Sequence, residues 1–299
     1  MRLSIGPIQY FWERPRVFEF YDQLAHSPAE IVYLGEAVCS KRRLIKPEDW
    51  LAIGRELRQS GKEVLLSSLT LLEAASEVGS LRKLCGNDEF MVEANDVAAI
   101  QMLSAAGKEF VTGPGINLYN LRSLRLLARK GLRRWVLPVE LGLDTLRDLQ
   151  SMRPERVETE VFALGRLPLA YSARCYTARS HNLPKDDCQF KCLDYPDGRM
   201  LETRDGQEFL VLNGIQTQSA QTHSVLGQLP ELEALGVDVL RISPQSQGSP
   251  RIIEIFDEAR NGAGPEVLQQ ELISLLPAGA CNGYLLQRAG MDHDDSQAA

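Results

Sequence analysis

Residues 62–107 read KEVLLSSLTLLEAASEVGSLRKLCGNDEFMVEANDVAAIQMLSAAG. Two short apolar runs, KEVLLSSL (62–69) and EFMVEA (89–94), have the length of buried strands. Each precedes a longer stretch with apolar residues three and four apart, TLLEAASEVGSLRKLC (70–85) and DVAAIQMLSAAG (96–107). That is the period of a helix packed by one face. Gly107 closes the second helix, where glycine takes the left-handed cap most cheaply. A strand–helix–strand–helix order implies a parallel sheet, because parallel neighbours need a crossover connection.

The rhythm continues in both directions. Upstream, LSIGPIQYF (3–11) and RVFEFYDQLAH (16–26) form one unit, and EIVYLGEAVC (30–39) and PEDWLAIGRELRQSG (47–61) another, closed by Gly61. Downstream come EFVTGPG (109–115) with LRSLRLLARKG (121–131), then RRWVLPVEL (133–141) with LDTLRDLQSM (143–152). VETEVFALG (157–165) is a seventh strand that does not run straight into a helix. The eighth unit is VDVLRIS (237–243) with RIIEIFDEARNG (251–262). Eight units favour an α/β fold of the (β/α)8-barrel type over an open sheet. We expect one barrel domain over 1–299, with a cysteine-bearing loop and hairpin insertion after strand seven at about 166–225. Turn-rich DYPDGRM (194–200) and TRDGQEF (203–209) mark the hairpins, and the polar tail 290–299 is expected to fray.

At 299 residues and 44% hydrophobic content the chain can bury a sizeable core. A net charge of −7 argues against a general nucleic-acid binder. The N-terminus lacks the pattern of a signal peptide, and no apolar run approaches the ~20 residues of a membrane span. The expectation is a cytoplasmic protein without a transmembrane segment. In a reducing compartment, clustered cysteines bind metal or do redox work more often than they form disulfides.

Three of the six cysteines cluster in AYSARCYTARSHNLPKDDCQFKC (170–192): Cys175, Cys188 and Cys192, spaced C-x12-C-x3-C. In a barrel, chemistry sits on the loops after the strands. Cys39 ends the second strand, so it shares that face. Four thiolates suit an iron–sulfur cluster or a structural zinc. Zinc sites usually use paired short knuckles, and one close pair is present here. The spacing favours the cluster and leaves zinc and unrelated thiols open. Cys85 and Cys281 read as small buried hydrophobes. Arg174, Arg179, His181, Lys185 and Lys191 make the loop cationic. They are either solvated or offset a cluster's charge and receive an anionic substrate, a role we assign first to Arg174 and Arg179. Glu36, Glu93 and Glu160 are candidates for acid–base or positioning roles, against the alternative of a structural polar layer. GPGIN (113–117) is a turn and not a phosphate loop, and neither HExxH nor GxSxG occurs.

ETEVFALGRLPLAYSARCYTARS (158–180), with YLGEAVCSKRR (33–43) upstream and CNGY (281–284) near the end, resembles the collagenase-like peptidase family and, within it, the UbiU/UbiV branch. The resemblance implies a [4Fe–4S] cluster on Cys39, Cys175, Cys188 and Cys192. It implies a heterodimer with a homologous UbiU-like subunit and a UbiT-like lipid-binding partner. It also implies dioxygen-independent ring hydroxylation in anaerobic ubiquinone biosynthesis, with prephenate as oxygen donor. Family members described as peptidases carry a cysteine and a histidine near the exit of strand seven. FALGRLPLAY (162–171) has neither, which weakens a protease reading. A hydrolase and a non-catalytic cluster or scaffold subunit are the competing functions.

Overall fold

Eight parallel strands close into a ring in the computed structural model, which describes residues 1–294. The first seven are β1 (Arg2–Ile5), β2 (Ile31–Leu34), β3 (Glu63–Ser67), β4 (Met91–Ala94), β5 (Phe110–Thr112), β6 (Leu132–Val136) and β7 (Glu158–Tyr171). The connecting helices are α1 (Arg14–Ala25), α2 (Pro47–Gln59), α3 (Ala75–Cys85), α4 (Val97–Ala105), α5 (Leu121–Ala128) and α6 (Leu143–Ser151). After an inserted segment and a short helix, the eighth stave is β11 (Val239–Ile242), which pairs in parallel with both β1 and β7 and shuts the ring. The expected (β/α)8 barrel is what forms.

The insertion is built on β7. Its first half pairs with β6 and β11 inside the ring; its second half leaves the ring and pairs antiparallel with β10 (Gln216–Ser224). β9 (Glu208–Asn213) and β8 (Arg199–Glu202) continue that sheet outward. Gly165 sits at the departure with φ 139°, and a Cβ there would lie 2.5 Å from Ser243 Cβ. Only glycine tolerates both. A one-turn helix, α7 (Tyr176–Arg179), and two 3-10 turns carry the cysteines between β7 and β8. The chain finishes with α8 (Leu229–Ala234) before β11, then α9 (Ser249–Arg260), α10 (Pro265–Leu275) and a two-residue β12 (Ala280–Cys281) against β10.

Two boundaries differ from the sequence reading. α3 starts at Ala75 and not near 70, because the Glu77 carboxylate accepts the Glu73 and Ala74 amides and ends the preceding loop there. β7 runs six residues past Gly165, because β10, fifty residues on, supplies its partner. Of the tail 290–299, residues 295–299 lie outside the described residues. Asp292 is held by the Asn282 and Gly283 amides, which donate to its carbonyl. No helix among the described residues is long and apolar enough to cross a membrane.

The strands alternate. Leu3, Ile5, Val32, Leu34, Val64 and Leu66 join helix residues such as Phe20, Leu57 and Phe256 in one large outer core. The opposite faces form a small separate cluster, Ile31, Tyr33, Leu65, Val111 and Val239, interleaved with charge. At the N-terminal end of the barrel Arg2 and Arg134 each bridge Glu63 and Glu158. Above them the Tyr33 hydroxyl donates to Glu160 at 2.5 Å and accepts from Arg134 at 3.1 Å. Higher still, Arg241 lies over the Tyr33 ring, 4.1 Å from its centroid, with Nε donating to Glu160 at 2.8 Å. Its Nη1 is 2.7 Å from Glu93 Oε1, an ion pair by distance that is not aligned as a hydrogen bond. Burial alone would raise the Glu160 carboxyl, but Arg241 and Arg134 pull it below the ordinary value.

Removing one partner of a buried pair leaves an uncompensated charge. Glu160→Gln should therefore lower unfolding stability by about 3 kcal/mol, measured by urea denaturation, while surface Glu208→Gln should be near neutral. A second expectation concerns pH. Burial holds the His223 imidazole down at about 4, against a weaker opposing hydrogen bond to Phe162. The unfolded chain thus takes up this proton first as pH falls. The contribution of neutral His223 is complete above about pH 6.5 and is lost as pH drops towards about 4, for on the order of 3 kcal/mol. His223→Gln should lack this share of the acid sensitivity; matching pH profiles for the two proteins would contradict the assignment.

Candidate functional site

Two adjoining cavities occupy the C-terminal face of the barrel. The first is lined by all four predicted thiols, Cys39, Cys175, Cys188 and Cys192, with Arg42 among its other walls. Cys39 lies in the loop after β2, where Glu36 Oε1 accepts the Val38 and Cys39 amides, both at 2.9 Å. Cys175 caps α7, its sulfur accepting the Ala178 amide at 3.4 Å. Gln189 and Phe190, with φ of 49° and 51°, reverse the chain between Cys188 and Cys192. Left-handed backbone is costly for such side chains, and it brings two cysteines four residues apart to one cavity. All six cysteines are free thiols.

Arg42 stands behind the thiols with its side chain 1% exposed. Its Nη1 donates to the Gln9 carbonyl at 2.6 Å and its Nη2 to Asn213 Oδ1 at 2.7 Å. Nε has no partner. Burial opposes the charge on Arg42, and Glu36 with the Cys192 and Cys39 sulfurs more than offsets it. Burial likewise pushes the Cys39 thiol up to about 11 and raises Cys192, while Arg42 pulls both back.

These features bear on what the cavity can hold. A single zinc ion needs its sulfurs about 3.8 Å apart, from tetrahedral geometry at about 2.3 Å per bond. Among the described residues no group of three or more Cys, His, Asp or Glu is arranged to hold one metal ion. The four thiols do line one cavity together. A buried cation with an unpartnered N–H beside four thiols is also the complement of an anionic group. By donor chemistry, four thiols beside a buried guanidinium match the ligand set that a four-thiolate iron–sulfur cluster would use.

The second cavity is a narrow cleft over the barrel axis, open to solvent, with room inside for about 20 Å³. Arg241 and Glu93 form its base. Behind the Asn95 and Pro114 wall, Gly113 must be glycine, because a Cβ there would strike Asn95 Oδ1 at 1.8 Å. Arg166, buried, is anchored by the Ala220 and Asp197 carbonyls. Gln216 donates to Tyr171 Oη at 2.8 Å and to Gln9 Oε1 at 3.0 Å, and accepts from Asn213 Nδ2 at 2.9 Å. Since Asn213 and Gln9 also receive Arg42, one buried hydrogen-bond chain joins the two cavities.

The other predicted residues fall in several places. Glu36 positions Cys39 and lies 3.7 Å from Arg42, so it braces the first cavity. Glu160 is wholly buried below the cleft, and Glu93 lines it. Arg174 and Arg179 are exposed and line neither cavity. His181 meets the Tyr195 hydroxyl, and Lys185 pairs with Glu73. Arg42, Arg166 and Arg241 were not singled out from the sequence. A lone arginine inside an apolar strand, as in VDVLRIS, is the signal that could have found the last.

A closed (β/α)8 barrel whose seventh stave extends into a thiol-bearing cap is the class of protein defined by this geometry. The chain belongs to peptidase family U32, whose profile matches residues 17–295. Among solved structures it is similar to the U32 peptidase Mk0906, at 13% identity over 84% of this chain and 94% of that one, TM-score 0.45. It also resembles dihydropteroate synthase from Thermus thermophilus (12%, 91% and 94%, 0.39) and a tryptophan synthase complex from Pyrococcus furiosus (11%, 91% and 95%, 0.42).

The burial pattern predicts an order of thiol reactivity. In native, metal-free protein at pH 8, iodoacetamide should modify Cys175 and Cys188 and, more slowly, Cys39 and Cys192, whose thiols burial pushes up. Cys85 and Cys281, both buried, should stay unmodified until the chain unfolds. Peptide mass spectrometry reads the order, and early labelling of Cys281 would contradict it.

Proposed function

We propose that this chain is a UbiV-like iron–sulfur subunit, acting with a homologous UbiU-like partner in dioxygen-independent hydroxylation during ubiquinone biosynthesis. The observation that carries the reading is the gathering of Cys39, Cys175, Cys188 and Cys192 around one cavity, beside a buried guanidinium with a free N–H. Membership of family U32 and the cysteine-loop resemblance are its other supports. The [4Fe–4S] cluster would supply one-electron redox chemistry when bound. This chain's own part is to present the four thiolates, to brace Cys39 through Glu36, and to set a fixed positive charge against them through Arg42. Prephenate as oxygen donor, a UbiT-like lipid-binding partner and a cytoplasmic setting belong to the same reading. A peptidase reading has less behind it: no histidine lines either cavity, so no cysteine–histidine pair faces a substrate.

Protein purified without air should show a broad absorption band of sulfide-to-iron charge transfer and close to four irons and four sulfides per chain, about the content of one cubane. Cys175→Ala should fold, with unchanged circular dichroism, yet lose most of its iron, because the outer core does not depend on the cysteine cap. Cys85→Ala should keep its iron. Zinc in place of iron, or iron lost from Cys85→Ala and kept by Cys39→Ala, would refute the ligand set. Co-expression with a UbiU-like chain should yield a stable one-to-one complex; activity confined to a monomer would remove the partnership.

A further inference from the structure

The buried chain that joins the two cavities runs through Arg42, Asn213, Gln216 and Tyr171. Arg42 lines the cysteine cavity and Tyr171 lines the cleft. The two links between them, Asn213 and Gln216, are 2% and 0% exposed, so solvent does not interrupt them. The direction of the chain is forced. A guanidinium can only donate, so Asn213 turns its Oδ1 towards Arg42 and its Nδ2 away. Nδ2 then donates to Gln216 Oε1 at 2.9 Å, which leaves Gln216 Nε2 to donate to Tyr171 Oη at 2.8 Å. The far side fixes the same sense. The Pro7 carbonyl can only accept, so Gln9 gives it Nε2 and keeps Oε1 to accept from Gln216.

An amide nitrogen is no acceptor, so the Tyr171 proton cannot return to Gln216. It is left for Thr70, which also lines the cleft, or for the cleft itself. Burial pushes the Tyr171 phenol up to about 12, against the lowering effect of its hydrogen bonds with Thr70 and Gln216, so it keeps that proton. Hydrogen bonds aligned head to tail polarise one another, most of all where the dielectric is low. An anion beside Arg42 takes up part of its polarity and weakens each bond downstream; a neutral group does not. We propose that this chain couples the two cavities, so that negative charge among the four thiols sets the hydrogen-bonding strength of the Tyr171 hydroxyl at the cleft. The inference goes beyond the iron–sulfur reading. It needs only a negative charge in the cysteine cavity, so it is tested on metal-free protein and stands or falls apart from the cluster.

The test uses the full-length chain with its tyrosines labelled with carbon-13 at Cζ, observed by NMR at about pH 8, where an aspartate is ionised. Tyr171→Phe identifies the Tyr171 resonance by its loss. Cys192→Asp places a carboxylate in the cavity that Arg42 lines, and Cys192→Asn gives the same shape without the charge. The Tyr171 resonance should differ between these two variants by more than its linewidth. Adding Gln216→Met, which keeps the volume and removes the link between Asn213 and Tyr171, should erase the difference. Circular dichroism checks that each variant is folded. If a Cys192 variant does not fold, iodoacetate and iodoacetamide, which put a charged and a neutral group on the same thiols, supply the comparison on the parent chain. If Gln216→Met does not fold, the comparison of charged with neutral cavity decides alone. The proposal is overturned if the Tyr171 resonance is the same with a charged and a neutral group. It is equally overturned if the difference survives Gln216→Met, which would mean a direct field through space.

Discussion

Arg241 is the charge on which the upper barrel depends. It is fully enclosed, and burial alone would disfavour its charge; Glu160, Glu93 and the Tyr33 hydroxyl more than reverse that. Each of its partners comes from a different strand: Tyr33 from β2, Glu93 from β4, Glu160 from β7. A shift of any one stave along its neighbours would break a contact that no water could replace, so the ion pairs fix the register of the closed ring as well as adding to its stability. Because Glu93 and Arg241 are also the base of the cleft, the constraint that holds the barrel together prepares the site above it.

The barrel was legible because period and punctuation agreed. Runs such as LRSLRLLARKG carry a helical stripe and end on a glycine, Gly131, that takes a positive φ of 106°. Strand seven was harder. Gly165 and Pro168 read locally as breakers, yet the strand continues through both, since its pairing partner lies fifty residues later and no local pattern announces it. Charged residues inside apolar strands, Arg134, Glu160 and Arg241, were visible but ambiguous. Whether a charge in a strand faces solvent, a site or a counter-charge is decided by which staves become neighbours across the ring.

The site divides in the same way. Cys39 was placed with the cysteine loop by a rule of topology, that the end of every barrel strand points to one face. The structure gathers it with Cys175, Cys188 and Cys192. Arg174, just before the one-turn helix, and Arg179, at its end, sit near Cys175 in sequence but are exposed, so proximity along the chain does not become proximity to the cavity. Of the cations that do line the thiol cavity, Lys41, Arg42 and Lys191, the buried one, Arg42, follows Cys39 by three residues and is turned inward by Gln9 and Asn213, residues from distant segments. The cleft draws its lining from several strands and loops, a few residues each, so its chemistry exists only once the ring has closed.

The closing contacts of that ring have a consequence for how the molecule is made. Synthesis runs from the N-terminal side, so all four thiols of the cysteine cavity, the last at Cys192, leave the ribosome before β11, which begins at Val239. Until β11 emerges, β1 and β7 are open edges, and the platform beneath the cysteine cap lacks its eighth stave. The nascent chain thus displays its thiols before it can arrange them. A group that needed the finished cavity would therefore have to wait for the eighth strand to close the platform beneath it.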